Sequence, residues 1–178
     1  MNQSRSQNKS LASLTRSISK DPQEPDYFDI ANEGNPEISF DILNTLLFAS
    51  SLDQLLRDKS TFTLLAPTDQ AFGKLPQGKI DYLLQGQHID CLVSLLSYHI
   101  VTTRISSTSL ATTSVNTTTI GKEAIAITVQ GKWISMHSAR GDQLVDASVV
   151  GDDIKSANGV IIPINAVVTP MDSKVFQD

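Results

Sequence analysis

Hydrophobic and polar positions follow different periods in the two halves of the chain. Between residues 38 and 97, apolar side chains recur every three to four residues, as they do along the buried face of an amphipathic helix. This spacing predicts helices at residues 38–49, 51–57, 80–84 and 89–96. In the second of these, Leu52, Leu55 and Leu56 are expected to face the core. A β-prone run at residues 61–66 ends at a proline and is predicted to be a strand.

From residue 100 onward the pattern changes to short runs of Thr, Val, Ile and Ser separated by turn residues. The predicted strands are residues 123–130, 132–137, 143–146, 160–162 and 166–169, with a hairpin turn at Gln130-Gly131. Helices therefore crowd the first half and strands the second, which predicts an α+β fold class. We expect a flexible, Ser- and Asn-rich tail at residues 1–26, one domain at 27–173 and a short C-terminal tail at 174–178.

Composition narrows the class of protein. Of 178 residues, 40% are hydrophobic and 19% are charged, which suits one globular domain that needs no disulfide or metal to hold its core. The net charge of -5 argues against a nucleic-acid binder, because phosphates require a basic surface. Residues 1–20 are basic and contain no acid, so we expect a basic, most simply solvated tail on an acidic body.

Neither a membrane span nor an export signal stands out in the sequence. No stretch approaches the roughly 18 apolar residues of a transmembrane helix, so no transmembrane segment is expected. The basic N-terminus lacks the continuous apolar run of a secretory signal peptide. These observations leave the compartment open.

The residue types that carry chemistry are sparse and scattered. The three histidines and the single cysteine do not occur at metal-ligand spacing, and no nucleotide-binding or nucleophile motif is present. Asp152-Asp153 is expected to lie in a solvated loop, because neighbouring acids usually diverge. We therefore predict no metal, no cofactor and no enzymatic activity.

Three sequence blocks occur in order along the chain: TFTLLAPTDQAF at residues 61–72 with Leu75-Pro76, LLSYHIV at 95–101, and IKSANGVI at 154–161 with VVTP at 167–170. Together they resemble the signatures of the FAS1 (fasciclin-like) domain family. The resemblance implies helices packed on a β-wedge or sandwich formed mainly by the second half of the chain. It also implies a binding or adhesion module, usually extracellular or at the cell surface.

The positions that match the family signatures have a structural interpretation. They are Ala66, Pro67, Thr68, Phe72, Asn158 and Gly159. Pro67 is expected to end a strand, and Thr68 to cap the helix that follows. Phe72 and Leu75 are expected to fill the core. Asn158-Gly159 is predicted to be a turn, because both residue types tolerate a positive φ.

Two short motifs are candidate binding residues. Tyr98 and His99 match a region that is tied to integrin adhesion in animal FAS1 domains, although the residues themselves favour a hydrogen-bonded histidine at a helix-to-strand junction. The tripeptide Arg140, Gly141 and Asp142 could present a cation and a carboxylate on an exposed turn, as integrin ligands do. The alternative is an ordinary hairpin turn that uses Gly141 for its backbone.

The chain departs from the family pattern at two places. After Tyr-His the family usually has Val-Val-Pro-Gly, whereas this chain has Ile100-Val101-Thr102-Thr103. After Asn-Gly-Val-Ile the family often has His-Val-Ile-Asp, whereas this chain has Ile162-Pro163-Ile164-Asn165. A partnership between two family histidines is therefore not expected, and Pro163 cannot donate a ladder hydrogen bond.

The predicted function is recognition of a protein or surface-glycan partner. The alternative, also implied by the resemblance, is carriage of an apolar small molecule such as a carotenoid or lipid. The apolar surface for that ligand would come from Ile125, Ile127, Trp133, Ile134 and Met136, although core packing is the simpler explanation of these residues.

Overall fold

The computed structural model describes residues 38–58, 61–108, 114–155 and 158–169. The predicted tails at 1–26 and 174–178, and the predicted start of the domain at residue 27, lie outside them. The helices are α1 (Asp41–Ala49), α2 (Leu52–Asp58), α3 (Asp69–Phe72), α4 (Lys79–Leu84) and α5 (Ile89–Ser97), with a 3-10 turn at Gly86–His88. The strands are β1 (Phe62–Pro67), β2 (Ile100–Val101), β3 (Ser114–Thr118), β4 (Ala124–Gln130), β5 (Trp133–Ser138), β6 (Gln143–Ser148), β7 (Ile154–Lys155) and β8 (Gly159–Ile164).

The strands form two four-stranded sheets. In the first sheet the order is β2-β1-β8-β7, with β1 and β8 parallel and the other pairs antiparallel. The second sheet is an antiparallel meander in the order β3-β4-β5-β6. The helices thus come from the first half of the chain, and the sheets are built mainly by the second half. The predicted α+β class is confirmed.

Three layers result from the alternation of side chains along β1. Leu64 and Ala66 pack with the helices in one buried cluster, whereas Leu65 packs with the second sheet in another. All residues of β1 and β8 are buried, so both faces of this strand pair are covered. Strands buried on both faces are expected to be apolar without alternation, as these two are apart from Thr63.

Several sequence predictions need correction. Residues 166–169 do not form a strand, because the N–H of Val168 bonds to a side chain and not to a neighbouring strand. Leu55 does not face the core but is 43% exposed. The hairpin loop is Gly131-Lys132, since Gln130 pairs with Trp133. Strand β3 was missed because its sequence, SVNTT, has no alternating apolar positions.

The Asn158-Gly159 pair does not adopt the expected positive-φ turn. Gly159 is buried at the start of β8, and a Cβ there would lie only 2.7–2.8 Å from three carbon atoms of the Phe62 ring. A glycine is therefore required because an aromatic ring lies against its backbone, not because the backbone is left-handed. Asn158 donates from Nδ2 to the carbonyl of Leu56 (3.0 Å), which ties α2 to β8.

The Ala-Pro-Thr-Asp block connects β1 to the helices. As predicted, Thr68 caps α3 by accepting a hydrogen bond from the N–H of Ala71 (3.3 Å). Asp69 also reaches back to α1, where Oδ1 accepts from the N–H of Ile42 (2.9 Å) and Oδ2 from the hydroxyl of Ser39 (2.6 Å). The residue at the N-cap position of α1, Phe40, makes no side-chain cap. Asp69 therefore caps a helix that precedes it by 27 residues.

Replacing Asp69 with alanine is expected to lower the free energy of unfolding by about 1–2 kcal/mol, because α1 loses its only side-chain cap among the described residues. Urea unfolding followed by circular dichroism measures this change. Asp41→Ala is the matched control, since Asp41 is also an acid in a first helical turn but is exposed. Equal losses in the two variants would show that the long-range cap contributes nothing.

Candidate functional site

His99 lies where α5 meets the first sheet. Its side chain is fully buried, with Nδ1 3.1 Å from the carbonyl oxygen of Leu95, and Nε2 accepts a hydrogen bond from the N–H of Val168 (3.0 Å). Nδ1 therefore carries the proton in the neutral ring. The backbone carbonyl of His99 accepts from the N–H of Leu65 in β1 (2.8 Å). One residue thus fastens the end of α5 to β1 and to the segment after β8.

Burial lowers the pKa of His99 from 6.5 to about 4, and its hydrogen bond to Leu95 opposes this shift. The imidazole is therefore neutral at physiological pH. It has no exposed surface, so it cannot touch a partner in this conformation. Tyr98, the other member of the pair, is half-buried and packs against the cluster between the sheets.

The two departures from the family pattern have structural consequences. Thr102 donates its N–H to the carbonyl of Thr118 (2.9 Å), and the hydroxyls of Thr103 and Thr117 lie 2.7 Å apart. The altered turn therefore fastens β3 to the first sheet. At the second departure, Asn165 accepts from the N–H of Ser148 through Oδ1 (2.7 Å), which joins the ends of β8 and β6.

Pro163 does not interrupt the parallel pairing of β1 with β8. Its carbonyl accepts from the N–H of Val150 (3.0 Å), on the side away from β1. Because the nitrogen and carbonyl of one strand residue point to the same side, the missing N–H faces Val150 as well. The ladder to β1 therefore loses no donor.

The tripeptide Arg140, Gly141 and Asp142 forms the tip of the β5–β6 turn, and all three residues are exposed. Gly141 has a φ of 90°, which favours glycine. The Ser138 hydroxyl lies 3.2 Å from Asp142 Oδ2 and 3.2 Å from the N–H groups of Arg140 and Asp142. These bonds hold the turn in a defined shape, so the Arg140 side chain projects from an ordered support. We refer to residues 139–142 as the tip.

An open groove of about 630 Å³ lies beside the tip, on the face of the second sheet that points away from the core. Ala124 and Ala126 of β4 form its floor. The pairing register places Asn116 of β3 and His137 of β5 on either side of Ala126. Gly141 also lines the groove, so groove and tip form one continuous surface.

The groove is not apparent from the sequence. The proximity of Asn116 and His137 depends on the pairing of β3, β4 and β5, so neither residue stands out as a site residue before the fold is known. The sequence feature that could have indicated the groove is the pair of outward-facing alanines in β4. Small side chains at alternate positions leave a depression along one face of a sheet.

The apolar surface expected for a carotenoid or lipid is not formed. Ile125, Ile127, Ile134 and Met136 are at most 3% exposed and belong to the cluster between the sheets. Trp133 alone of the five residues is exposed, at 64%. The alternation of β4 and β5 directs the aliphatic side chains into the core. These residues therefore do not form the exposed apolar surface on which the carotenoid or lipid alternative was based.

Acidic residues and histidines do not assemble into a metal centre in the part of the chain that the structure describes. Of the Asp152-Asp153 pair, only Asp152 is exposed as expected. Asp153 is half-buried, and its Oδ2 accepts from the hydroxyl of Ser106 (2.8 Å) and the N–H of Ser107 (2.7 Å). Within the same residues, none of the helices is long and apolar enough to cross a membrane.

Comparison with known families matches residues 39–170 to the Fasciclin domain. This match covers more than half of the chain and contains all three sequence blocks. The chain belongs to the fasciclin (FAS1) domain family. The identification made from Ala66-Pro67-Thr68 and its companion blocks is therefore confirmed.

The FAS1 relatives of this chain include proteins from two bacterial groups. The uncharacterized protein sll1735 of Synechocystis is 33% identical over 72% of this chain and 88% of its own length. The cell surface glycolipoprotein MPB83 of Mycobacterium bovis is 30% identical over 61% of this chain, which spans only 44% of that protein. Relatives of this FAS1 domain thus include proteins of the cell surface.

A solved FAS1 domain pair from the insect cell adhesion molecule Fasciclin I has the same fold. It superposes with a TM-score of 0.51 at 16% sequence identity, covering 84% of this chain and 46% of the insect chain. At this identity the likeness establishes the fold alone. The helices on two sheets seen here are therefore the FAS1 architecture.

Proposed function

We propose that this FAS1 domain is a non-catalytic binding module that acts at the cell surface or outside the cell. We further propose that it contacts its partner through the surface formed by the tip and the groove. The observation that carries the proposal is the position of an exposed, hydrogen-bonded turn beside an open groove at one end of a sheet face. A rigid support of this kind reduces the entropy that is lost when a partner binds.

The names of the relatives support a surface role. MPB83 is a cell surface glycolipoprotein, and the insect protein is a cell adhesion molecule. Arg140 supports recognition by the tip, because an exposed arginine offers several hydrogen-bond donors and arginines are enriched among the residues that dominate interfaces. His99, being fully buried, would act in this function only by holding the domain together.

Labelled domain is expected to bind intact bacterial cells saturably, and Arg140→Ala is expected to weaken that binding about tenfold. Flow cytometry against domain concentration gives the affinity. The matched control is Lys132→Ala, which removes the same charge from the β4–β5 turn at the opposite end of the sheet. Identical affinity of wild type and Arg140→Ala would exclude the tip, and absence of saturable binding to any cells would contradict the proposed function.

A further inference from the structure

The shape of the groove follows from the pairing of three strands. Ala124 and Ala126 occupy the middle strand, whereas the larger Asn116 and His137 stand on the strands to either side. Strands separated by one neighbour lie about 9.6 Å apart, so the alanines form the floor of a trough with polar walls. Its volume of about 630 Å³ is in the range of roughly 300–1,000 Å³ that is typical of small-molecule sites.

The walls of the trough offer free hydrogen-bonding groups. Within the described part of the chain, the side chains of Asn116 and His137 have no hydrogen-bond partner. They face each other across Ala126 in a single cross-strand row. The amide of Asn116 supplies both donors and an acceptor, and the imidazole of His137 supplies two ring nitrogens that can hydrogen-bond. These groups match a ligand that carries several hydroxyls.

The described lining of the groove contains no acid, lysine or arginine, although the chain is rich in charge. The chain has 14 lysines and arginines and 19 acids, but none of the described residues that line the groove is Asp, Glu, Lys or Arg. A charged ligand would be desolvated there without a fixed charge of opposite sign. A purely apolar ligand would leave the polar walls desolvated and unpaired.

We propose that this groove is a binding site for a neutral glycan, with Ala124 and Ala126 under the flat C–H face of a sugar ring and Asn116 and His137 bonded to its hydroxyls. Neutral sugars combine these two features, and the uncharged trough complements both. This inference rests on the proposed function, for which it names the class of partner.

Binding of the full chain to a printed array of neutral, sialylated and sulfated oligosaccharides tests the inference. The domain is biotinylated and presented on streptavidin, because several weak sites acting together give a measurable signal. We expect binding to a subset of the neutral glycans, confirmed by calorimetry with the free oligosaccharide. Ala126→Leu is expected to weaken this binding at least about tenfold, because the new side chain fills the trough.

Ser135→Leu is the matched control. Ser135 is half-buried like Ala126 and lies on the same sheet face, but it does not line the groove. This variant should therefore bind like wild type, and thermal unfolding of both variants checks that the fold is kept. Asn116→Ala and His137→Ala should each weaken binding by several-fold, since each removes one hydrogen-bonding wall.

Three results would overturn the inference: no glycan bound, binding only to anionic glycans, or equal weakening by Ala126→Leu and Ser135→Leu. The cell-binding experiment separates this failure from failure of the proposed function. Domain that binds cells after periodate oxidation of their glycans, but not after protease treatment, recognises a protein, so the function stands and the glycan site falls. Domain that binds neither cells nor glycans contradicts both.

Discussion

Lowering the pH from 7 to 4 is expected to remove on the order of 3 kcal/mol of unfolding free energy through His99. Its pKa is lowered from 6.5 to about 4 in the folded state, and each unit corresponds to about 1.4 kcal/mol. Burial disfavours the charged imidazole, and protonation of Nε2 would also remove the acceptor for the N–H of Val168. His99 therefore binds a proton more weakly in the folded state than in the unfolded chain.

The sign and the pH window follow from these two pKa values. Well above pH 6.5 the histidine is neutral in both states, and its contribution to stability is complete. Between pH 6.5 and about 4 the unfolded chain binds more protons, so stability falls as the pH falls. Below about pH 4 both states are protonated and this loss is complete.

The variant His99→Gln isolates the effect of this residue. Glutamine can replace one of the two hydrogen bonds, so we expect a loss of about 2 kcal/mol at pH 7. Its unfolding free energy should then depend less on pH than that of wild type between pH 6.5 and 4. Urea unfolding at several pH values measures both curves, and their difference removes the contribution of the carboxylates.

The control for this experiment is His137→Gln, which changes a half-buried histidine on the outer sheet face. Of the two histidines His99 is the fully buried one, so His99→Gln should change the pH dependence of stability more than His137→Gln does. Parallel curves for wild type and His99→Gln would show that His99 does not couple stability to pH.

Gly159→Ala is expected to lower the free energy of unfolding by about 1–3 kcal/mol. The added Cβ would lie 2.7–2.8 Å from the ring of Phe62, which is itself fully buried at the start of β1. A ring packed in the core cannot move away as the end of a flexible surface side chain would. The strain should therefore fall on the β1–β8 pairing, where Phe62 is opposite Gly159.

Gly86→Ala is the control for this substitution, because a Cβ at Gly86 meets nothing within 4 Å. It should be neutral or slightly stabilising, since alanine restricts the unfolded chain more than glycine does. A double-mutant cycle with Phe62→Leu tests the mechanism. Gly159→Ala should cost less in the Phe62→Leu background, and an undiminished cost would show that ring contact is not the cause.

The candidate site was only partly accessible to sequence reasoning. Arg140, Gly141 and Asp142 stood out as a motif, and the structure places them on an exposed turn, as an ordinary hairpin would also do. The proximity of Gly141 to Asn116 and Ala126 could not be foreseen, because β3 has no apolar alternation from which the strand could be predicted. The alternative apolar surface between residues 124 and 136 is not formed. The side chains there alternate and the aliphatic ones point inward, so core packing, the simpler explanation from the sequence, is confirmed.

By itself, the sequence determined the α+β class, the FAS1 family and the positions of most helices and strands. Periodicity and caps such as Thr68 act over a few residues, so they can be read from a short window. Only the tertiary structure decided the roles that depend on distant partners. These include the cap that Asp69 provides to α1, the ring that confines Gly159, the burial of His99 and the groove over Ala126. Each arises where residues far apart in the chain are brought into contact, and strand pairing and layer packing are what bring them together.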